Sequence, residues 1–151
     1  MTTTILDGVK QRAKSLSLPY AGAVTPQEAY QLLQEEKSIK LIDVRTNAER
    51  DWVGQAQIDP EQLHAVQWNL YPAQANPNFL KELEQVAGKN TVMLFLCRSG
   101  VRSKAAAQLA TEQGYTNCYD ILGGFEGDKD QHGHRKTTDG WCFAGLPWRG
   151  A

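Results

Sequence analysis

One run of apolar residues constrains the fold of this chain more than any other feature. Residues 91–97 (TVMLFLC) are hydrophobic at nearly every position rather than at alternate positions. A strand with this pattern is buried on both faces, which is typical of a parallel sheet covered by helices. Residues 102–113 then predict a helix that ends before Gly114. Cys97 therefore stands where a buried strand gives way to a helix.

The rest of the chain alternates between helix and strand patterns. Thr25 and Glu28 predict a capping box with Pro26 at the first helical position, and Asn76 and Gly88 are predicted to cap and end another helix. Helices are predicted at residues 5–18, within 23–38, at 46–53, within 76–90 and at 102–113, and strands at 39–45, 65–72 (stopped by Pro72), 91–97 and 117–122. This order predicts an α/β fold with an open, mainly parallel sheet and helices on both faces.

Length and composition predict one domain and exclude several partners. A chain of 151 residues with 41% hydrophobic residues can bury one core, while its net charge of −1 gives no electrostatic case for binding nucleic acid or membrane. No apolar run approaches the roughly 20 residues of a membrane helix. We expect residues 1–20 to form an amphipathic arm packed on a domain of residues 21–151, although the helix at 5–18 could instead be a partner surface.

The cysteines and the first residues bear on the compartment. Three cysteines without a Cys-x-x-Cys pair fit neither a disulfide scaffold nor a zinc ribbon, and they favour a reducing environment. The segment MTTTILDGVKQRAKSL lacks the pattern of a signal peptide. The predicted location is therefore the cytoplasm.

The loop after residue 97 combines several groups that stabilise an anion. The backbone N–H groups of residues 98–102 are unpaired where a helix begins and can point at the sulfur of Cys97, and Gly100 permits a close approach of the backbone. Arg98 and Arg102 add two positive charges. Such surroundings favour the thiolate, which is the nucleophilic form of cysteine. Cys97 is the predicted nucleophile; the predicted substrate-binding residues are Arg98, Ser99, Gly100, Val101, Arg102 and Ser103. The alternative is a structural cysteine between two solvated arginines.

Four stretches of the chain resemble the single-domain rhodaneses, which are thiosulfate-type sulfurtransferases. They are LIDVRTNAER, LFLCRSGVRSKAAAQLA, YDILGGFEG and AGLPW, and the resemblance covers residues 22–148. Two segments depart from the family pattern. Residues 53–68 replace the usual Gly-His-Ile segment, and residues 127–140 form a polar insert that is longer than usual. The resemblance says least about these two segments, and we expect the insert to be a surface loop or lid that bears on substrate choice.

The resemblance implies a persulfide mechanism. The Cys97 thiolate would take the sulfane sulfur of a donor such as thiosulfate and release sulfite, and the Cys97 persulfide would pass the sulfur to cyanide, a thiol or a protein thiol. Neither a metal nor an organic cofactor is implied. Asp43, Arg45 and Glu49 match family positions, and we expect them to fix loops through hydrogen bonds and a salt bridge. The physiological donor and acceptor and the oligomeric state stay open.

Two other functions are compatible with a loop of this kind. Cysteine phosphatases and arsenate reductases carry a Cys-x5-Arg loop, whereas four residues separate Cys97 from Arg102 and Ser103 holds the position of the phosphatase arginine. A shorter loop suits a single sulfur atom better than a tetrahedral phosphate. The second alternative is a non-catalytic binding module or a protein-to-protein sulfur carrier. Turnover with small donors and acceptors would distinguish it from the enzyme.

The remaining candidate residues have simpler interpretations. Cys118 is predicted to be core, and Cys142 is predicted to be a partly buried packing residue rather than a second sulfur-carrying thiol. His132 and His134 lack partners at ligand spacing, so they give little support for a metal site. Trp141 and Trp148 are expected to pack the closing segment onto the core.

Overall fold

The computed structural model describes residues 2–71 and 74–150, and it confirms the predicted α/β fold. The helices are α1 (Thr2–Leu16), α2 (Pro26–Glu35), α3 (Asn47–Trp52), α4 (Phe79–Val86) and α5 (Val101–Glu112). The strands are β1 (Gly22–Val24), β2 (Lys40–Asp43), β3 (Gln55–Ala56), β4 (Leu63–Ala65), β5 (Asn69–Leu70), β6 (Gln74–Ala75), β7 (Met93–Leu96), β8 (Cys118–Ile121) and β9 (Trp148–Arg149).

The main sheet is parallel and places β7 at its centre. Its strand order is β1-β8-β7-β2-β4, and every pair in it is parallel. Leu94 of β7 lies between Leu41 of β2 and Tyr119 of β8. Strands β3 and β9 form a separate antiparallel pair, as do β5 and β6. Ligands of open parallel sheets bind beyond the carboxyl ends of the strands. Cys97 directly follows β7 and therefore lies at the edge where a site is expected.

Helices cover both faces of this sheet, as the apolar strand pattern predicts. On one face, Leu94 and Leu96 join a buried cluster that includes residues of α1 and α2. On the other face, Met93 and Phe95 join a cluster that includes residues of α4 and α5. Successive side chains of a strand point to opposite faces of the sheet. Because helices cover both faces, all four β7 side chains are fully buried. Cys97 belongs to the cluster on the α4 and α5 face.

The first helix packs against the edge strand β1. Val9 of α1 is fully buried, and a Cβ atom at Gly22 would lie 2.5 Å from Val9 Cγ1. Arg12 also pairs with Glu28 of α2, with 2.7 Å between Nη2 and Oε1. The helix ends at Leu16, earlier than predicted, because Ser17 adopts a positive φ of 54°. Within residues 2–71 and 74–150, no helix has the length and hydropathy needed to cross a membrane.

The predicted strand at residues 65–72 is wrong in its position. The sheet strand is β4, which ends at Ala65, and the chain then follows the end of β2 until Trp68 N donates to Val44 O. Residues 69–70 instead pair with 74–75. Pro72, predicted to stop the strand, lies outside the described residues. The apolar run therefore belongs to two separate structures, which periodicity in a short segment cannot separate.

Two further elements differ from their predictions. Asn78, not Asn76, precedes α4, and Asn76 Oδ1 instead accepts a hydrogen bond from Asn78 N in the preceding loop. The helix ends at Val86, and Ala87 rather than Gly88 closes it. Strand β1 was not predicted, because three residues are too few for a strand pattern to show. The capping box of Thr25 and Glu28 is confirmed.

Candidate active site

Cys97 lies at the head of α5 with its sulfur almost wholly enclosed. The residue is 1% exposed. The N–H of Gly100 donates to Sγ at 3.0 Å, and Ser103 Oγ lies 3.3 Å from Sγ. Gly100 is the residue before the first turn of α5 and has a φ of 117°, which favours glycine. An anion on this sulfur is stabilised by a backbone amide and by the positive end of the helix dipole.

The turn that follows β8 forms hydrogen bonds with the candidate active-site loop, which comprises residues 97–102. Phe125 N donates to Cys97 O at 2.7 Å, and the N–H groups of Glu126 and Gly127 donate to Arg98 O at 2.9 and 3.1 Å. These bonds occupy the carbonyl oxygens of Cys97 and Arg98. The turn therefore fixes the backbone from which the loop around the sulfur begins.

Gly124 permits this close contact between the two segments. Its φ is 64°, and a Cβ atom at this position would lie 2.5 Å from Cys97 O and 2.7 Å from Arg98 O. Both neighbours are backbone atoms, so neither can move aside by a side-chain rotation. Gly124 therefore sets the distance between the turn and the active-site loop.

The polar insert at residues 127–140 supports the same turn and contains no helix or strand. Asp139 Oδ1 accepts a hydrogen bond from Asp128 N at 2.8 Å, and Arg135 Nη1 donates to Gly127 O at 2.7 Å. Trp141 N donates to Gly124 O at 2.8 Å just beyond the insert. These contacts connect the insert to the backbone segment that holds Cys97 and Arg98.

Arg102 is paired with Glu49 across the site. The two residues form hydrogen bonds of 2.6 and 2.8 Å between the guanidinium and both carboxylate oxygens. Glu49 also completes a capping box with Thr46 at the start of α3. Glu49 therefore fixes loops through hydrogen bonds and a salt bridge, as predicted, and the partner in the salt bridge is Arg102. Burial alone would raise the pKa of Glu49, yet the bonds from Arg102 and Thr46 and the charge of Arg102 lower it to about 2.

We expect the Glu49 carboxylate to make folding stability depend on pH in the acid range. Its folded-state pKa of about 2 lies below the ordinary value of 4.5, so its contribution is complete above pH 4.5 and is lost as the pH falls toward 2. The size of this loss is about 1–3 kcal/mol, given partial exposure of the pair. Urea unfolding between pH 7 and pH 3 should show that the free energy of unfolding declines less steeply in Glu49→Gln than in the native chain.

Glu28→Gln is the matched control for this prediction. Glu28 also stands in a capping box and pairs with an arginine, but Arg12 has a side chain that is 50% exposed, against 20% for Arg102. Solvent weakens an exposed pair, so this change should remove a smaller part of the pH dependence. Equal slopes for the native chain and Glu49→Gln would contradict the prediction.

The predicted ion pair between Asp43 and Arg45 is confirmed. Both side chains are fully buried, and Arg45 donates to Asp43 from Nε at 3.0 Å and from Nη2 at 2.8 Å. Arg45 also donates to Gly54 O at 2.8 Å and lies 4.3 Å from the centre of the Phe125 ring. The pair therefore connects the end of β2 to the turn that holds the active-site loop.

Arg98 lines an open cleft beside this loop. The cleft has a volume of about 340 Å³, and its wall includes Arg102, Glu49 and two exposed aromatic residues, Trp52 and Tyr71. The two rings meet edge to face at 5.7 Å. Sequence reasoning placed Trp52 on a short helix but did not assign it to the site. The signal available in the sequence was a tryptophan that follows the Asp-Val-Arg strand by a few residues.

The other predicted loop residues take different positions. Val101 is 78% exposed and Ser99 is partly exposed. Ser103 is fully buried behind the sulfur, where its Oγ lies 2.5 Å from Oδ1 of Asp120, a buried residue of β8. Sequence reasoning did not single out Asp120, although one acidic residue in the apolar strand at 117–122 was a visible signal.

The remaining cysteines are free thiols, and the two histidines lie in the polar insert. Burial raises the pKa of both Cys118 and Cys142 to about 11, which favours their thiol forms. Cys118 is fully buried and Cys142 is partly buried against the core, as predicted. The rings of His132 and His134 are 6.3 Å apart. In the part of the chain that the structure describes, no group of three acidic, histidine or cysteine side chains could hold a metal ion.

Trp141 and Trp148 pack as expected from the sequence. Trp141 is fully buried in the cluster on the α1 and α2 face, and its Nε1 donates to Pro147 O at 2.8 Å. Trp148 contacts the same cluster and meets Phe125 edge to face at 5.7 Å. The closing segment is thereby fixed beside the turn that supports the site.

Comparisons with known proteins agree with the fold. The STR4 middle domain family matches residues 21–150. The RP600 homolog of Rickettsia rickettsii is 35% identical over 117 residues, which is 77% of this chain and 93% of that protein. The thiosulfate sulfurtransferase GlpE of Haemophilus influenzae is 29% identical over 124 residues, covering 82% and 90% of the two chains. The crystal structure of Rv0390 from M. tuberculosis has a TM-score of 0.77 and 42% identity, covering 86% of this chain and 98% of that one.

Proposed function

The chain belongs to the STR4 middle domain family and contains a rhodanese-like domain of the sulfurtransferase type; from this premise we propose that it transfers sulfane sulfur through a persulfide on Cys97. The observation that carries the proposal is the position of the Cys97 sulfur. It is enclosed at the head of α5 and accepts a hydrogen bond from Gly100 N at 3.0 Å. A site with this arrangement stabilises both a thiolate and a persulfide anion.

The reaction has two half-reactions. In the first, the thiolate attacks the outer sulfur of thiosulfate, an S–S bond forms, and sulfite leaves with the electrons of the broken S–S bond. In the second, a nucleophilic acceptor such as cyanide or a thiol attacks the outer sulfur of the persulfide, and Cys97 leaves as a thiolate. Transfer through a covalent intermediate predicts ping-pong kinetics. Neither half-reaction consumes an external oxidant or reductant.

The cleft beside the loop suits an anionic donor. Arg98 supplies a guanidinium that the described residues leave without a carboxylate partner, whereas the Arg102 guanidinium is held by Glu49. We therefore assign donor binding to Arg98 and assign loop positioning to Arg102. A guanidinium presents planar donors that suit an oxyanion such as thiosulfate or sulfite.

The free cysteines suit a reducing compartment. The described residues hold three free cysteines, Cys97, Cys118 and Cys142, and a reducing environment keeps such thiols unpaired. On this ground we propose that the protein acts in the cytoplasm.

The burial of Ser103 favours sulfur transfer over phosphatase chemistry. Ser103 holds the position where a Cys-x5-Arg loop needs its arginine, and its side chain points into the core toward Asp120. An arginine there would place a charge in a buried site without room for phosphate on that side. A protein-to-protein sulfur carrier uses the same persulfide and differs only in its donor and acceptor.

The proposal is tested by loading and discharging the native protein. We expect incubation with thiosulfate to add one sulfur atom to the intact mass, and we expect cyanide to remove this atom and release thiocyanate. Absence of both products would refute the small-donor reaction. Loading by polysulfide or by a protein persulfide, with no loading by thiosulfate, would assign the protein as a carrier.

A further inference from the structure

A buried chain of polar groups connects Cys97 to β8. Ser103 Oγ lies between Cys97 Sγ, at 3.3 Å, and Asp120 Oδ1, at 2.5 Å. Both Ser103 and Asp120 are fully buried. The second carboxylate oxygen, Oδ2, has no hydrogen-bond partner. A buried carboxylate oxygen without a partner is costly when charged, which points to a function beyond holding the loop.

The groups around Asp120 do not neutralise its charge well. The nearest cation is Lys104 of α5, whose Nζ lies 3.9 Å from Oδ2 on a side chain that is 52% exposed. Tyr20, from the segment before β1, also faces the carboxylate, and burial and then the charge of Asp120 raise the pKa of this phenol. The neighbours in the sheet, Ala23 and Phe95, are apolar. A proton on the carboxyl would remove this unfavourable buried charge.

The sulfur is the better place for the negative charge. Cys97 Sγ accepts a hydrogen bond from Gly100 N and lies at the start of α5, whereas Asp120 Oδ2 accepts none. The Ser103 hydroxyl carries one hydrogen, and Gly100 O, 3.2 Å from Oγ, is a third acceptor beside the sulfur and the carboxylate. A hydrogen bond from Ser103 to the sulfur or to the carboxylate therefore reports which of these two groups is charged.

We propose that Asp120 is a positioning residue that holds the proton released by Cys97, with the Ser103 hydroxyl as the bridge between them. In the step, the S–H bond of Cys97 breaks and its proton joins Ser103 Oγ. The original hydroxyl proton of Ser103 joins Asp120 Oδ1. The product is a thiolate that accepts from Ser103, together with a neutral carboxyl that donates to Ser103. One proton is conserved within the pair, and one negative charge moves from Asp120 to the sulfur.

This coupling deepens the proposed sulfur transfer and rests on Cys97 as its nucleophile. The Ser103 hydroxyl stabilises the anionic sulfur when it attacks a donor and again when it leaves the persulfide. Burial raises the pKa of Asp120 to about 6, against the hydrogen bond from Ser103 and the charge of Lys104, so the carboxyl takes up a proton readily. Two groups that share a proton titrate as a pair, and each keeps the other from ionising.

The test measures the protonation of Asp120 and needs no sulfur transfer. Infrared difference spectra across pH report the carbonyl stretch of a protonated carboxyl, and Asp120→Asn assigns the band. The ultraviolet absorbance of the thiolate, lost in Cys97→Ser, is followed in the same samples. In the native protein we expect the thiolate and the protonated Asp120 to coexist near pH 6, the pKa of this carboxyl. In Cys97→Ser we expect the carboxyl to ionise at a pH at least about one unit lower.

Ser103 variants test the bridge. Ser103→Ala should bring the titration of Asp120 close to that of Cys97→Ser, and Ser103→Thr should retain the native titration because it keeps the hydroxyl. A fully ionised Asp120 at pH 6 in the native protein, or the same titration with and without Cys97, would overturn the proposal. An Asp120 titration in Ser103→Ala that matches the native titration would also overturn the proposal. Thiosulfate loading is measured separately, so failure of the sulfurtransferase activity and failure of this coupling are distinguishable.

Discussion

Replacing Cys97 with serine is expected to lower the rate of thiocyanate formation by about 10³-fold or more, because removal of a covalent nucleophile leaves only binding and electrostatic contributions. A serine hydroxyl at this position is close in size but cannot form the S–S bond of a persulfide. Because the buried hydroxyl can accept the hydrogen bond from Gly100 N, we expect Cys97→Ser to fold normally. Intact mass after thiosulfate treatment, thiocyanate release and circular dichroism measure the three properties.

Cys142→Ser is the matched control for this variant. Cys142 is a free cysteine in the closing segment, and burial raises its pKa to about 11, so it is a poor nucleophile at neutral pH. We expect this variant to load one sulfur atom and to turn over as the native chain does. If Cys142→Ser lost sulfur loading and Cys97→Ser retained it, the reaction would belong to Cys142 and the proposed mechanism would be refuted.

Replacing Gly124 with alanine is expected to lower both stability and activity. The added Cβ would lie 2.5 Å from Cys97 O, and a φ of 64° is unfavourable for alanine. Overpacking against rigid backbone together with the strained dihedral should lower the free energy of unfolding by about 3 kcal/mol or more. Relief of the clash would move the carbonyls of Cys97 and Arg98. A displacement near 1 Å is enough to lower turnover about 10²-fold.

Gly133→Ala is the control that separates the effect of the steric clash from the effect of the positive φ. Gly133 has a φ of 78° but no atom within 4 Å of an added Cβ. This control should lower the free energy of unfolding by only about 1 kcal/mol and should leave turnover unchanged. Urea unfolding and thiocyanate release on both variants check the pair. A Gly124→Ala variant as stable and active as Gly133→Ala would show that the turn does not position the loop.

Local sequence is sufficient for the features that are contiguous in the chain. The strand at residues 91–97, the loop from Cys97 and the helix that follows are adjacent, so their order alone puts the sulfur at the start of a helix. The capping box of Thr25 and Glu28 is equally readable, because its bonds join residues three apart. The fold class follows from the alternation of these local patterns.

Short segments limit the prediction of the fold. Strand β1 has three residues, and the apolar segment at 65–72 is shared between the end of the sheet and a separate pair of strands. Such segments carry too few residues for their pattern to identify a partner strand. Their positions depend on which neighbours offer free backbone groups, as Asp43 O does for Val66 N.

The sequence alone determined that the Cys97 sulfur lies where a central strand ends and a helix begins. Only the tertiary structure decided what surrounds this sulfur. Glu49 reaches Arg102 across 53 positions of the chain, Asp120 reaches Ser103 across 17, and Gly124 brings a distant turn against Cys97 O. The physical reason is that hydrogen bonds, burial and close packing depend on distances in space. Chain spacing fixes these distances only within a helix turn or a short loop.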